Sequence, residues 1–128
     1  MFSKDAPNDV KKPRIAPEIW HNREFIKWDD ARVHVMSHVI HYGSSVFEGI
    51  RCYATKRGPA VFRLQEHMRR LLNSSKIYRM NHDWTLDELC HASVELIKRS
   101  ELEQCYVRPI IFRGFGSFGV NPFPNPLE

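Results

Sequence analysis

The 128-residue sequence predicts an α+β fold, a largely antiparallel sheet with two consecutive helices packed on one face. Three observations carry that expectation. Short β-branched and aromatic runs separated by turn residues fill the first half. Two helical periodicities then follow one another with no strand between them. A last strand-like run comes after both.

The elements follow in order. Residues 1–17 are polar, hold Pro7, Pro13 and Pro17, and read as a loose arm. Residues 18–28 read as a hairpin, with Ile19 and Trp20 before His21–Arg23 and Phe25–Trp28 after it. Residues 29–43 are less regular. Residues 44–53, SSVFEGIRCY, read as one strand, and residues 60–64, AVFRL, as its return past Gly58-Pro59.

A helix is expected over 65–79, where Met68, Leu71, Leu72, Ser75 and Ile77 or Tyr78 recur at helical spacing. The next helix has a start signal: Thr85 and Glu88 form a capping box, and Trp84 and Leu89 are placed to staple it. Leu86, Leu89, Cys90, Val94 and Ile97 are expected on its buried face. Lys98 and Arg99 sit at its C-terminal end, where the macrodipole favours cations. Residues 104–113 read as a strand, interrupted or edge-placed because Pro109 has no N–H to donate. The tail, rich in glycine and then proline, reads as a turn entering a linker. Residues 18–119 are thus one α+β domain and residues 120–128 the start of a connection.

Composition narrows the function classes. A net charge of +4 is spread along the chain, which argues for solvation rather than a nucleic-acid footprint. No apolar run reaches the length of a membrane span, and residues 1–14 have no apolar signal core. Three widely spaced cysteines, Cys52, Cys90 and Cys105, fit reduced thiols and a cytoplasmic protein better than a disulfide framework.

Four features invite chemistry. His34, His38 and His41 would share a helical face and could bind zinc, but Gly43 makes a continuous helix doubtful, so no metal site is assigned. Residues 114–119, GFGSFG, spell GxGxxG. The proline-rich run after them cannot start the helix that a dinucleotide site needs, so the glycines are expected to serve a turn. Arg69 and Arg70 open a helix and diverge around it, so at most one faces a ligand, and a solvated helix face explains both as simply. Tyr106 and Arg108 share a strand face, where they could hold a small organic acid or form a cross-strand packing pair.

The runs HVMSHVIHYGSSVFEGIRCY (34–53), GPAVFRLQEHMRRLLNSSKIYRM (58–80), CYVRPIIF (105–112) and GVNP (119–122) resemble the bacterial branched-chain aminotransferases. These belong to the fold-type IV enzymes that use pyridoxal 5'-phosphate. The resemblance covers residues 18–122 in the family's order. It implies an amino-terminal domain that helps transfer the amino group between leucine, isoleucine or valine and 2-oxoglutarate. Arg70 matches the arginine that grips the cofactor phosphate. Phe47, Tyr106 and Arg108 match residues lining the substrate pocket of their own subunit. Tyr42 and Val120 match residues reaching into a neighbouring subunit's pocket.

The implied partners are branched-chain amino acids, glutamate, their 2-oxo acids and a second copy of the chain, with neither nucleic acid nor membrane. In this family the Schiff-base lysine and the acidic partner of the pyridine nitrogen lie in a second domain. None of Lys4, Lys11, Lys12, Lys27, Lys56, Lys76 and Lys98 occupies that catalytic position, so the chain alone is expected to be inactive. Exposed Phe47, Phe112 and Phe115 are expected to drive self-association. Rival readings are a D-amino-acid aminotransferase, an aminodeoxychorismate lyase, or a non-catalytic binding module with the same fold.

Overall fold

A computed structural model describes residues 14–128. Most of the arm expected at 1–17 lies outside the described residues. The chain opens with the expected hairpin, β1 (Glu18–His21) against β2 (Glu24–Lys27), with Trp20 opposite Phe25. Its two-residue turn, Asn22-Arg23, has positive φ at both positions, 48° and 72°, the conformation that matches the twist of a tight hairpin. Arg23 is not a residue that favours this conformation. Its side chain bonds Glu88 at 2.6 Å and Asp83 at 2.9 Å, which tie the turn to the start of a helix.

A single turn of 3-10 helix, Trp28–Asp30, and a short helix α1 (His38–Tyr42) follow. The expected strand 44–53 is two strands, β3 (Ser45–Phe47) and β4 (Ile50–Thr55), and the expected strand 104–113 is likewise β6 (Cys105–Val107) and β7 (Ile110–Phe112). The two interruptions face each other. Phe47 pairs with Ile110 and Ile50 with Val107, so Glu48-Gly49 lies opposite Arg108-Pro109. Pro109 has no N–H for the ladder, but its carbonyl accepts from the Glu48 N–H at 3.0 Å and bridges the gap. Strand β5 (Gly58–Val61) returns against β4; it starts earlier and stops sooner than the expected 60–64, because Leu64 already opens a helix. The strands form three small antiparallel sheets, β1-β2, β3-β7 and β5-β4-β6, instead of one continuous sheet.

Helix α2 (Leu64–Ile77) buries Met68, Leu71 and Ser75. It ends in a Schellman motif: the Arg79 N–H bonds the Lys76 carbonyl, the Met80 N–H bonds the Ser75 carbonyl, and Arg79 takes the left-handed position at φ 53°. That reversal turns Met80 into the core and leaves Ile77 and Tyr78 exposed, contrary to the expected stripe. Helix α3 (Leu86–Ser100) has the expected capping box. Thr85 Oγ1 accepts the Glu88 N–H at 3.1 Å, and the Glu88 carboxylate accepts the Thr85 N–H. Its buried line is Leu89, Ser93 and Ile97; Val94 is turned outward, and Ser93 satisfies its hydroxyl on the Leu89 carbonyl. Arg99 pairs with Glu18 at 2.7 Å and lies 4.4 Å over the Phe25 ring, fastening α3 to the hairpin.

The core joins Val46, Ile50 and Ile111 from the strands to Met68, Leu71 and Leu89 from the helices and to Met80 just past the end of α2. Phe112 belongs with this buried set rather than on the surface, which corrects the expectation that it is exposed. The end of the described chain runs back along β7. Phe112 and Glu128 exchange two backbone hydrogen bonds of 2.9 Å, and Gly114 donates to Pro126. Buried Asn125 ties this return to the glycine turn: its Oδ1 accepts from the Gly116 and Ser117 N–H groups at 3.0 Å each. A side chain at Gly116 would collide with the Pro124 carbonyl, so this glycine is needed for close approach. Among the described residues no helix is long and apolar enough to cross a membrane.

Candidate active-site wall

From Val46 to Cys52 the chain alternates strictly. Val46, Glu48, Ile50 and Cys52 are buried, while Phe47, Gly49 and Arg51 are exposed. The alternation survives the strand break, so Phe47 stands on the outer face of the sheet, away from the core. Tyr106, opposite Arg51, is also exposed. Arg108 lies over the Phe47 ring at 4.4 Å and donates from Nη2 to the Tyr106 hydroxyl at 2.7 Å. A Cβ at Gly49 would overlap that hydroxyl, so glycine lets the tyrosine lie flat across the break. Phe47, Tyr106 and Arg108 are thus brought together as one wall: two aromatic faces with a guanidinium set between them. The ion pairs formed among the described residues do not involve Arg108.

Tyr42 and Val120 meet at a second place, through His38. The His38 ring is buried and lies 4.6 Å from the Tyr42 ring. Its Nε2–H donates to the Val120 carbonyl at 2.9 Å, which leaves Nδ1 to accept from the Ser44 hydroxyl at 2.7 Å. The first N–H groups of α1 bond the carbonyls of Gly114 and Arg113, so this short helix is docked on the glycine turn that leads to Val120. The three histidines do not converge. His41 Nε2 bonds the Val35 carbonyl, and His34 stacks on Phe115 at 5.3 Å while its Nδ1 accepts the Met36 N–H. The described residues contain no cluster of three or more metal-ligating side chains.

Arg70 stands apart from both groups. Its Nε and Nη2 each lie 2.6 Å from an oxygen of Glu48, a two-point clamp, and His67 Nδ1 donates to the same carboxylate at 2.9 Å. Arg70 holds the Glu48 carboxyl below its usual range. Burial works in the opposite direction, and His67 adds to the lowering. Glu48 was not anticipated from the sequence. The available signal was an acid on the inward side of an alternating strand, where a lone carboxylate is costly without a partner.

The family model for "Amino-transferase class IV" matches residues 45–127, which include Phe47, Glu48, His67, Arg70, Tyr106, Arg108 and Val120 but not His38, Tyr42 or Ser44. The chain belongs to the class IV aminotransferases. A curated branched-chain-amino-acid aminotransferase from Salmonella typhimurium is 52% identical over 110 residues, covering 86% of this chain and 36% of its own length. One from Escherichia coli is 53% identical over 107 residues, covering 84% and 35%. The crystal structure of the branched-chain amino acid aminotransferase from Escherichia coli superposes with a TM-score of 0.81 at 53% identity, covering 84% of this chain and 37% of that one. The crystal structure of a branched-chain aminotransferase from the archaeon Thermoproteus uzoniensis, with norvaline, gives a TM-score of 0.82 at 31% identity, covering 88% and 38%. This class IV chain therefore spans about a third of the length of its curated relatives, and its α+β architecture of antiparallel strands and helices is theirs.

Proposed function

We propose that the chain forms the amino-terminal part of a branched-chain amino-acid aminotransferase dependent on pyridoxal 5'-phosphate. In this reading residues 18–119 form the domain, residues 120–128 lead toward the remainder of the enzyme, and the chain alone is inactive because the Schiff-base lysine lies elsewhere. The observation that carries the reading is Arg108, held between Phe47 and the Tyr106 hydroxyl and unpaired with any carboxylate of the described residues.

Transamination between an apolar amino acid and glutamate makes two demands on one pocket. The aromatic faces of Phe47 and Tyr106 receive the apolar side chain. The guanidinium of Arg108 gives charge-assisted hydrogen bonds to the glutamate side-chain carboxylate, which water would otherwise have to solvate. Tyr42 and Val120, joined through His38, form a separate exposed edge. We assign them to the pocket of a second copy of the chain, since Phe115, Phe118 and Val120 leave an apolar surface there.

The cofactor fits at Arg70. Glu48 occupies one edge of its guanidinium and leaves Nη1 without a partner among the described residues, on a side chain 67% exposed. A phosphate is a geometric and electrostatic match for that edge. When bound, pyridoxal 5'-phosphate supplies the electron sink for bond breaking at the amino-acid Cα. The residues of this chain bind the phosphate, orient the substrate and line the pocket.

The test is Arg108→Met in the full-length enzyme, with the two half-reactions measured separately. kcat/KM for L-glutamate falls roughly 10- to 100-fold, the loss of a charged hydrogen-bond partner, while L-leucine changes little. Equal losses for the two substrates would remove Arg108 from the proposal.

A further inference from the structure

We propose that Glu48 is a positioning residue: it clamps the inner edge of Arg70 so that the outer edge is presented, already oriented, to a phosphate. The proposal rests on the assignment of Arg70 made above.

The Glu48 side chain is 7% exposed, that of Arg70 67%. An ion pair serving the core alone would bury both charges, and even then well-packed apolar residues of similar size often stabilise as much. Here the carboxylate is sunk on the inward side of the strand and only its partner reaches solvent. The bonding pattern then specifies which part of Arg70 is free. A guanidinium has five N–H donors in one plane. Glu48 takes the Nε–H and one Nη2–H, at 2.6 Å each. His67 Nδ1 lies 3.4 Å from Nη2 but donates to Glu48 and so does not accept from it, which leaves the edge formed by Nη1 and the other Nη2–H, a parallel pair of donors that suits two oxygens of one phosphate.

His67 completes the clamp. It lies three residues before Arg70 on the same face of α2 and donates to Oε2 at 2.9 Å, fixing the carboxylate plane. A long side chain that would otherwise sample many rotamers is thereby held in one, and the entropy of ordering it is spent on folding rather than on binding. The backbone supports the arrangement. Glu48 sits at the strand interruption, with its N–H on the Pro109 carbonyl, so the carboxylate is anchored from both ends.

One effect opposes the proposal. The negative charge of Glu48 repels an incoming phosphate, and its removal would relieve that. The two contributions separate by salt. Repulsion through solvent is screened over about 8 Å at physiological ionic strength and less above it, whereas loss of orientation is not screened.

The experiment uses the full-length protein, stripped of cofactor and titrated with pyridoxal 5'-phosphate and, in parallel, with pyridoxal, at physiological and at high salt. Glu48→Gln is expected to raise the Kd for pyridoxal 5'-phosphate about tenfold at high salt and to leave the Kd for pyridoxal unchanged. The double variant Glu48→Gln/Arg70→Ala is expected to bind no more weakly than Arg70→Ala alone, because Glu48 acts through Arg70. His67→Gln, a milder change, is expected to raise the same Kd roughly two- to threefold, and it decides the matter if Glu48→Gln does not fold. Full additivity in the double variant, or equal weakening of pyridoxal, overturns the proposal. Wild-type affinity in the variant that decides the matter, alongside weakened Arg70→Ala, overturns it while leaving the phosphate site at Arg70 standing. Unchanged binding in Arg70→Ala overturns both.

Discussion

His38 provides a test of how the edge around Val120 is held. Its imidazole makes two bonds of different reach, Nε2 to the Val120 carbonyl at 2.9 Å and Nδ1 to Ser44 at 2.7 Å. Asparagine places a polar atom near the position of Nδ1, and glutamine near that of Nε2. His38→Asn therefore keeps the Ser44 contact and releases Val120; His38→Gln does the reverse. Each hydrogen bond contributes about 1 kcal/mol net. Val120 is 72% exposed, so its carbonyl finds water when released, and the cost stays near that value. One kcal/mol is about a fivefold change in the population of an open loop. The assay is limited digestion by a protease that cleaves after aromatic residues, followed at Phe118, which is exposed two residues before Val120. When opening and closing are fast, cleavage tracks the open population. His38→Asn is expected to speed cleavage after Phe118 about fivefold, and His38→Gln less than twofold. Equal acceleration in both, or none in His38→Asn, would refute the idea that this single bond holds the loop.

Thr85→Ala removes the acceptor for the Glu88 N–H at the start of α3 and is expected to cost about 1 kcal/mol in urea unfolding, with the slope unchanged. Glu18, Glu48, Asp83 and Glu88 are all held below their ordinary values by arginine hydrogen bonds. Folded values below unfolded ones mean that their contribution is complete above the ordinary values of 4.5 and 3.8 and is lost as pH falls through the folded ones, so their share of the thermal stability should be level above about pH 5 and decline below it, while His82, held below its ordinary 6.5 by burial, begins a separate decline as pH falls through that value. The Cys105 thiol is pushed up to about 11 by burial, with Cys52 adding to the shift, so an alkylating reagent at neutral pH should modify it only after denaturant is added.

What could be read from the sequence was local. The capping box lies within four residues and depends on nothing outside them, so Thr85 and Glu88 were legible. The β1-β2 hairpin was legible for the same reason. Helical faces were read less well. Ser93 rather than Val94 faces the core, where it is tolerated because its hydroxyl bonds the Leu89 carbonyl of its own helix, so apolarity alone does not mark the buried line. The wall of Phe47, Tyr106 and Arg108 was nameable residue by residue, but the role of Gly49 in it was not. That role exists only because β4 and β6 are paired in a register that lays the Tyr106 hydroxyl across the break. Glu48 and Arg70 are separated by 22 positions, and no local pattern links them.

The interruption at Glu48-Gly49 explains why one short stretch serves two sides of the fold. A regular strand through 45–55 would have put an unbroken ladder opposite Pro109, which cannot donate to it. The chain instead bridges the gap with one bond from Glu48 to the Pro109 carbonyl. Side-chain alternation continues across the gap, so neighbouring residues face opposite ways. Phe47 goes outward to meet Arg108, and Glu48 goes inward to meet Arg70 and His67. The proposed substrate-facing wall and the clamp on the proposed phosphate ligand are therefore set by consecutive residues. A one-residue slip of β3 against β7 would exchange their faces, burying the Phe47 ring and exposing the Glu48 carboxylate. Both arrangements thus depend on one register, fixed where Phe47 pairs with Ile110 and Ile50 with Val107.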